Sequence, residues 1–274
     1  MINSINNISN YQIQQIKKQV SAEKTIKCEN KNTHSISFCS NESRSFIEEN
    51  IKISDLNNLF KKIEDKKGND FLDSAYQELV KLMDLEGMAP KEITWEKNEG
   101  RPIVGDYLFY NNKIVFYTDY FKKLDKATQI GIMAHELTHC KQLCNMLRTE
   151  GISLAKIANA YAVSDIRAMM VNNEKFKKMY NEAKRNGKEN EFLSYMTAVG
   201  TRKTMNELEV AHSETLKMPK HSLNSIKGQK AQRDLVAQFN YNGANMEVYN
   251  QCPLEKEAMR VENIVKNAYK ACRK

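Results

Sequence analysis

The amino-acid sequence predicts an α+β fold, mainly helical, with a small antiparallel sheet in front of one long helix. Apolar residues recur at intervals of three and four over most of the chain, which is typical of amphipathic helices. Between residues 93 and 117 the pattern changes to alternation, which is typical of half-buried strands. The 274 residues are 41% hydrophobic, so the chain is long enough to fill the core of one large domain.

A polar leader is predicted to precede a single domain. Residues 1–45 are dominated by Asn, Ser, Lys, Gln and Ile without sustained periodicity, so we expect a disordered leader there. Residues 46–274 are expected to form the domain, with a helical insertion at about 152–235. The N-terminus lacks a basic start, an apolar core and a cleavage site, so a cytoplasmic location is expected. Export without a cleaved signal peptide is the alternative.

Two amphipathic helices are predicted first. One follows the candidate caps Ser54 and Asp55 and ends before Gly68, and the next runs from Leu72 to Gly87. We expect these two helices to form a packing layer.

The following segment predicts the sheet. Ile93 and Trp95 alternate with polar residues, and two further strands are predicted at Tyr107–Tyr110 and Lys113–Tyr117. The two asparagines between these strands predict a hairpin turn.

The remaining elements are predicted to be helices. Asp125 is the expected N-cap of a long helix that ends near Gly151. Four residues are expected to divide the interval that follows: Gly187, Gly200, Pro219 and Gly228. Pro253 is a favourable first-turn residue and is expected to start the final helix.

The sequence HELTH occupies positions 135 to 139, in the middle of the predicted long helix. Residues four apart share one face of a helix, so His135 and His139 can offer two imidazole nitrogens to one metal ion. Glu136 lies one step round the helix, where its carboxylate can reach a metal-bound water and act as the catalytic base. A core pair of histidines bonded to the backbone or to Thr138 is the alternative. With only 5 histidines in the chain, an accidental match is expected in roughly one such chain in a hundred.

The motif resembles the HExxH signature of the zincin metallopeptidases. The resemblance implies a zincin-like domain that hydrolyses peptide bonds with one Zn²⁺ per chain and takes a peptide or protein as its substrate. It also implies that the predicted sheet contains the strand that pairs with substrate. Metzincins continue with Gly and His at fixed offsets, but this chain has Gln142 and Asn145 there, so that branch is disfavoured.

The third metal ligand is expected from the final helix. The stretch PLEKEAMRVE, residues 253–262, resembles the E-x-E-A segment that follows HExxH in several gluzincin-like peptidases, in which the first glutamate binds zinc. This resemblance implies that Glu255 is the ligand. Many gluzincins place an acidic residue four positions later, where this chain has Met259, and Glu262 is expected to supply the hydrogen bond to a histidine instead.

Other residues compete with this assignment. Glu257 is a second carboxylate in the same turn, and first-turn acids are also explained by the helix dipole. The segment NELEVAHSE offers four more candidates: Glu207, Glu209, His212 and Glu214. His212, Tyr241 and Tyr249 are candidate donors to an oxyanion, although packing is the commoner role of a tyrosine. Gln142 is expected either to brace the site or to line its rim.

Composition and charge do not favour a membrane span, a nucleic-acid partner or a disulfide framework. No run of about 18 apolar residues occurs, so no membrane span is predicted. The formal net charge is +8, but the densest basic run, residues 175–188, has no nucleic-acid motif around it, so a solvated helix face is favoured over a nucleic-acid partner. The six cysteines form no C-x-x-C pair and are interpreted as reduced thiols. A catalytically inactive zinc-binding interaction protein on the same scaffold is the alternative function.

Overall fold

The computed structural model of this protein describes residues 51–97, 104–241, 249 and 251–273, so the leader expected at 1–45 lies outside the described residues. The described part of the chain is mostly helical and includes a three-stranded sheet. In chain order its elements are α1 (Ile53–Lys62), α2 (Gly68–Leu82), β1 (Thr94–Glu96), β2 (Gly105–Leu108), β3 (Lys113–Tyr117), α3 (Thr118–Phe121), α4 (Lys126–Leu147), α5 (Leu154–Asn172), α6 (Glu174–Arg185), α7 (Glu189–Ala211), α8 (Ser213–Lys217), α9 (Ile226–Asn240) and α10 (Pro253–Ala271).

The sheet is mixed rather than antiparallel. Its strand order is β1-β3-β2, with β2 antiparallel to β3 and β1 parallel to it. The predicted hairpin between β2 and β3 is confirmed, with Asn112 in the left-handed region at φ 47°. The predicted direction of β1 was wrong, because alternation of polar and apolar residues shows which face is buried and not which way a neighbouring strand runs.

Helix α4 lies at the centre of the domain. Its predicted N-cap is confirmed, since the Asp125 carboxylate accepts a hydrogen bond from the Thr128 amide at 3.0 Å. Helices α10, α9 and α2 and strand β2 pack around it. Four apolar residues of this helix are buried: Ile130, Ala134, Leu137 and Leu143. The HELTH motif is therefore held by packing on several sides.

Helix α10 packs closely along α4. A methyl group added at Gly131 of α4 would lie 3.1 Å from both the Cγ atom and the carbonyl oxygen of Glu262 on α10. Ala258 on α10 has a small side chain and is fully buried. This packing sets α10 beside the histidine-bearing face of α4.

The boundary between the first two helices differs from the prediction. Lys52 is the N-cap residue of α1, and no side chain caps it, so the assignment of Ser54 and Asp55 as caps was wrong. Gly68 is the first residue of α2, where its φ of 56° falls in the left-handed region that glycine tolerates.

The interval at 152–235 is helical, as predicted, but two of its expected dividers lie inside helices. Gly187 and Pro219 do fall between helices. Gly200 lies within α7, where an added methyl group would meet the Cβ atom of Ala162 at 3.1 Å. Gly228 lies in the first turn of α9, against the carbonyl group of Ser222. Both glycines permit close packing, which sequence alone does not distinguish from a helix end.

Several surface and thiol predictions are confirmed where the structure describes the residues. The basic run at 175–188 overlaps α6, and its lysines are exposed. Four cysteines are free, with Cys140, Cys144 and Cys252 buried and Cys272 exposed, and the other two lie outside the described residues. No helix in the described ranges combines the length and hydropathy needed to cross a bilayer.

Candidate metal centre

Two helices bring together the residues predicted to form the site. Helix α4 carries His135, Glu136 and His139, and its two imidazoles share a face because they are one helical turn apart. Helix α10 begins at Pro253, whose fixed φ suits a first turn, and Glu255 lies in that turn. The cluster is largely buried, but the histidine side chains retain 12% and 20% exposure, which leaves one side open.

Three side-chain atoms of this cluster form a nearly equilateral triangle. The Nε2 atom of His135 lies 3.2 Å from Nε2 of His139. The Oε2 atom of Glu255 lies 3.6 Å from the first of these nitrogens and 3.4 Å from the second. Tetrahedral zinc with ligand bonds of about 2.0 to 2.1 Å separates its ligand atoms by about 3.3 to 3.4 Å. The triangle therefore has the dimensions of one face of a zinc coordination tetrahedron.

The charge distribution of the cluster also fits a cation. The Oε2 atom of Glu255 is buried and has no hydrogen-bond donor among the described residues. Burial by itself raises the pKa of Glu255, but contacts with His135 and His139 outweigh burial and hold this pKa well below its usual range. Burial opposes protonation of His135, yet its contact with Glu255 raises the pKa of the imidazole to about 10. The carboxylate therefore favours positive charge at the centre of the cluster, and a metal ion among the three side chains could supply this charge in place of protons on the imidazoles.

The other ring nitrogens are occupied by residues outside the triangle. The Nδ1 atom of His135 lies 3.2 Å from Oε2 of Glu262, and Nδ1 of His139 lies 3.0 Å from Oε1 of Gln142. An Nδ1–H that donates to an oxygen leaves the Nε2 lone pair for a metal. The expected contact of Glu262 with a histidine is confirmed, and Gln142 braces the site.

Glu136 lies between the histidines and the sheet. It is 7% exposed, and burial raises its pKa, partly opposed by His135 and His139. A methyl group on Gly105, the first residue of β2, would lie 3.4 Å from Cγ of Glu136. The carboxylate of Glu136 is not part of the triangle. Among the described residues, only the three members of the triangle form a close group of potential ligands. Glu136 is therefore beside the candidate ligands without being one of them.

Tyr249 lies near Glu255. Its ring centroid is 6.1 Å from that of Tyr241. Burial and then the negative charge of Glu255 raise the pKa of Tyr249, so the hydroxyl keeps its proton. Donation by either tyrosine to an oxyanion stays a prediction.

The competing residues of the 206–214 segment lie elsewhere. His212 is buried, and its Nε2 donates to the carbonyl oxygen of Phe109 at 2.8 Å. The glutamates of the segment are exposed or half-exposed: Glu207, Glu209 and Glu214. None of these four joins the close ligand group found among the described residues.

A buried network behind His139 was not predicted from the sequence. Lys230 on α9 contacts Asp234 at 2.7 Å and Glu257 at 2.6 Å. The four-residue spacing of Lys230 and Asp234 is a visible signal, but such spacing usually marks an exposed pair on a helix surface. The packing of α9 against α4 and α10 buries the pair, and sequence spacing does not reveal that packing.

Comparisons of this chain with protein-family models, with curated proteins and with solved structures found no match.

Proposed function

We propose that this chain is a zinc-dependent metallopeptidase in which His135, His139 and Glu255 hold one Zn²⁺ and Glu136 is the catalytic base. The observation that carries the proposal is the triangle of ligand atoms, with sides of 3.2, 3.4 and 3.6 Å. Two imidazoles and one glutamate are a ligand set of zinc peptidases, in which the fourth position holds water. The resemblance of HELTH and PLEKEAMRVE to gluzincin segments supports the same set.

The proposed reaction is hydrolysis of a peptide bond. When bound, the zinc ion would lower the pKa of a coordinated water to about 7 and polarise the substrate carbonyl. Glu136 accepts a proton from the attacking water as the water oxygen bonds to the carbonyl carbon. The same carboxyl group then gives that proton to the amine nitrogen as the carbon–nitrogen bond breaks. Burial raises the pKa of Glu136, which suits a group that both takes and returns a proton.

The position of β2 supports a peptide as the substrate. Among the described strands, β2 has a neighbour only on its β3 side. Its first residue, Gly105, lies against Glu136. An extended peptide that paired with the outer edge of β2 would run past the proposed base and would be held by main-chain hydrogen bonds.

This chain has Met259 where many gluzincins have an acidic residue, but another residue takes over the contact. Glu262, three positions later on α10, lies 3.2 Å from Nδ1 of His135. The acidic partner of a histidine is thus supplied from another position. This contact favours a working site over the alternative, a catalytically inactive zinc-binding interaction protein.

Metal content and peptide hydrolysis together test the proposal. We expect the purified chain, never exposed to a chelator, to contain about one zinc ion per molecule by mass spectrometry and to cleave a mixed peptide library. Glu136→Gln should keep the zinc and the fold but reduce turnover about 10²- to 10⁴-fold, because the amide preserves shape and removes the basic group. His139→Ala is the control, since it should lose the zinc as well.

Each outcome separates one interpretation from another. A native chain without zinc would end the metal-centre proposal. Zinc without hydrolysis of any library peptide would establish the inactive scaffold instead. Full turnover in Glu136→Gln would remove Glu136 from the mechanism.

A further inference from the structure

We propose that Lys230 and Glu257 are positioning residues that fix the orientation of the Gln142 amide and, through it, the imidazole of His139. This inference rests on the proposed zinc site and concerns how one of its ligands is oriented. The four residues form a continuous line of contacts from α9, through α10 and α4, to the cluster.

Lys230 lies between two carboxylates in the interior. Its Nζ atom is 2.7 Å from Oδ2 of Asp234 and 2.6 Å from Oε2 of Glu257. The side chains of Lys230 and Asp234 are each only 9% exposed. Burial lowers the pKa of Lys230, but the two carboxylates outweigh burial and raise it, so the lysine keeps its charge. A buried cation in direct contact with Glu257 holds the carboxylate of that residue in one place.

Glu257 determines how the Gln142 side chain is turned. The Nε2 atom of Gln142 donates to Oε2 of Glu257 at 2.9 Å and to the carbonyl oxygen of Leu254 at 3.1 Å. Both hydrogens of the amide nitrogen are thereby used. Rotation of the amide by half a turn would set its oxygen against a carboxylate and a carbonyl, with both hydrogen bonds lost. The surroundings therefore permit one orientation of this amide.

The orientation of Gln142 in turn determines which nitrogen of His139 carries the hydrogen. Its Oε1 atom faces Nδ1 of His139 at 3.0 Å. Because an amide oxygen can only accept, the imidazole must donate from Nδ1. The Nε2 lone pair is then free for the cluster, as a metal ligand requires.

The two histidines are braced by groups of different charge. His135 meets the carboxylate of Glu262 directly, and that side chain is 24% exposed. His139 meets a neutral amide, and the carboxylate that accepts a hydrogen bond from this amide, Glu257, is paired with Lys230. The lysine thus places a positive charge beside that carboxylate.

A matched pair of substitutions isolates this role. Glu257→Leu and Asp234→Leu each remove one carboxylate from Lys230 and leave the other, so both should lower the free energy of unfolding. Only Glu257→Leu releases the Gln142 amide. We expect Glu257→Leu and Gln142→Leu to weaken zinc binding about 10- to 100-fold, the usual effect of losing an outer partner of a metal-bound histidine. Asp234→Leu should keep the native affinity.

Exchanging the amide and the carboxylate tests the hydrogen bonds separately from the packing, because glutamine and glutamate have nearly the same size. Gln142→Glu alone sets two carboxylates side by side and should weaken zinc binding. When Glu257→Gln is added, the amide at position 257 can donate to the carboxylate at position 142. Part of the affinity should then return, although the hydrogen bond to the Leu254 carbonyl stays lost. In the zinc-loaded chain, the Nδ1 proton of His139 should appear in NMR spectra of both the native chain and the double variant. Its resonance should shift between them, because the acceptor changes from an amide to a carboxylate.

The outcomes separate this inference from the proposed function. Native zinc affinity in Glu257→Leu and Gln142→Leu would overturn the inference and leave the zinc site in place. Equal losses of affinity in Glu257→Leu and Asp234→Leu would also overturn it, because the network would then act through stability alone. Gln142→Leu leaves the Lys230 ion pairs intact and tests the proposal even if Glu257→Leu does not fold. A native chain that binds no zinc would overturn the proposed function itself.

Discussion

The Oε2 atom of Glu262 lies 3.2 Å from Nδ1 of His135, and this contact joins the middle of α10 to the first histidine of the HELTH motif. The acceptor at Nδ1 leaves Nε2 of the same ring facing Glu255 at 3.6 Å. Helix α10 therefore contributes to the cluster twice, from its first turn and again two turns later. A metal site assembled in this way depends on how α10 is seated along α4.

The first prediction concerns Glu262. Glu262→Ala removes the acceptor at Nδ1 of His135, so we expect zinc affinity to fall about 10- to 100-fold. Glu262→Gln should lose less zinc affinity, because its amide oxygen can still accept the hydrogen bond. Competition with a chelating dye measures the zinc affinity of both variants. Asn263→Ala, at the exposed neighbouring position, is the control and should bind zinc as the native chain does. Native affinity in Glu262→Ala would show that the contact does not orient the ligand.

The second prediction concerns the third ligand. Glu255→Ala removes the only carboxylate of the triangle, so its loss of zinc affinity should exceed that of any variant that touches an outer partner. Glu209→Ala and His212→Ala should leave the affinity nearly intact. In a zinc-loaded crystal, a Glu255 oxygen should lie about 2.0 to 2.2 Å from the ion, with both Nε2 atoms at about 2.0 to 2.1 Å. Zinc bound by a residue of the 206–214 segment would overturn this ligand set.

Local features of the site were predictable because they depend on neighbours in sequence. The i, i+4 spacing places His135 and His139 on one face, Asp125 caps the helix, and Pro253 starts the last one. The distant partner of the histidines is different. Glu255 lies more than a hundred residues away, and only the resemblance to gluzincin segments singled it out from its rivals.

Features that depend on packing were not predictable. The parallel direction of β1 and the burial of Lys230 are set by elements far apart in the chain. A glycine such as Gly200 is typical of a helix end. Here it lies inside a helix, because its lack of a side chain lets α5 approach at Ala162. A periodic pattern reports a buried face and not the identity of the element that covers it.

The third prediction concerns pH and Asp165 on α5. Burial raises the pKa of this carboxyl to about 6, only partly opposed by Lys203. Because the folded pKa is above the unfolded one, the group favours folding when protonated, and stability falls as the pH rises through about 6. Asp165→Asn should therefore be nearly neutral at about pH 4 and stabilise the chain by about 1 kcal/mol at about pH 8, a figure reduced for the partial exposure of the group.

Thermal unfolding of the chelator-treated chain at the two pH values measures this difference. Asp73→Asn, at an exposed position on α2, is the control and should shift the transition equally at both. The prediction fails if Asp165→Asn lowers stability at about pH 8 more than at about pH 4.

The last prediction tests the seating of α10 at Gly131, one turn before His135. A methyl group there would lie 3.1 Å from Cγ and from the carbonyl oxygen of Glu262, and 3.3 Å from Cβ of Lys266. The carbonyl and the Cβ atom cannot yield unless α10 itself moves. Alanine gains about 1 kcal/mol over glycine inside a helix, and overpacking costs about 1 to 3 kcal/mol. We expect Gly131→Ala to lower the free energy of unfolding by about 1 kcal/mol, measured by urea denaturation.

Gly200→Ala is the matched control, since its methyl group would meet Cβ of Ala162 at 3.1 Å and no second atom closer than 3.8 Å. The gain in helix propensity should then leave its stability close to native or above it. The two variants should differ further in zinc affinity. A displaced α10 moves both Glu255 and Glu262 relative to His135, so Gly131→Ala should bind zinc more weakly, whereas Gly200→Ala should bind it as the native chain does. Native zinc affinity in Gly131→Ala would show that the site tolerates a shift of α10, against the dependence inferred from the two contacts of this helix.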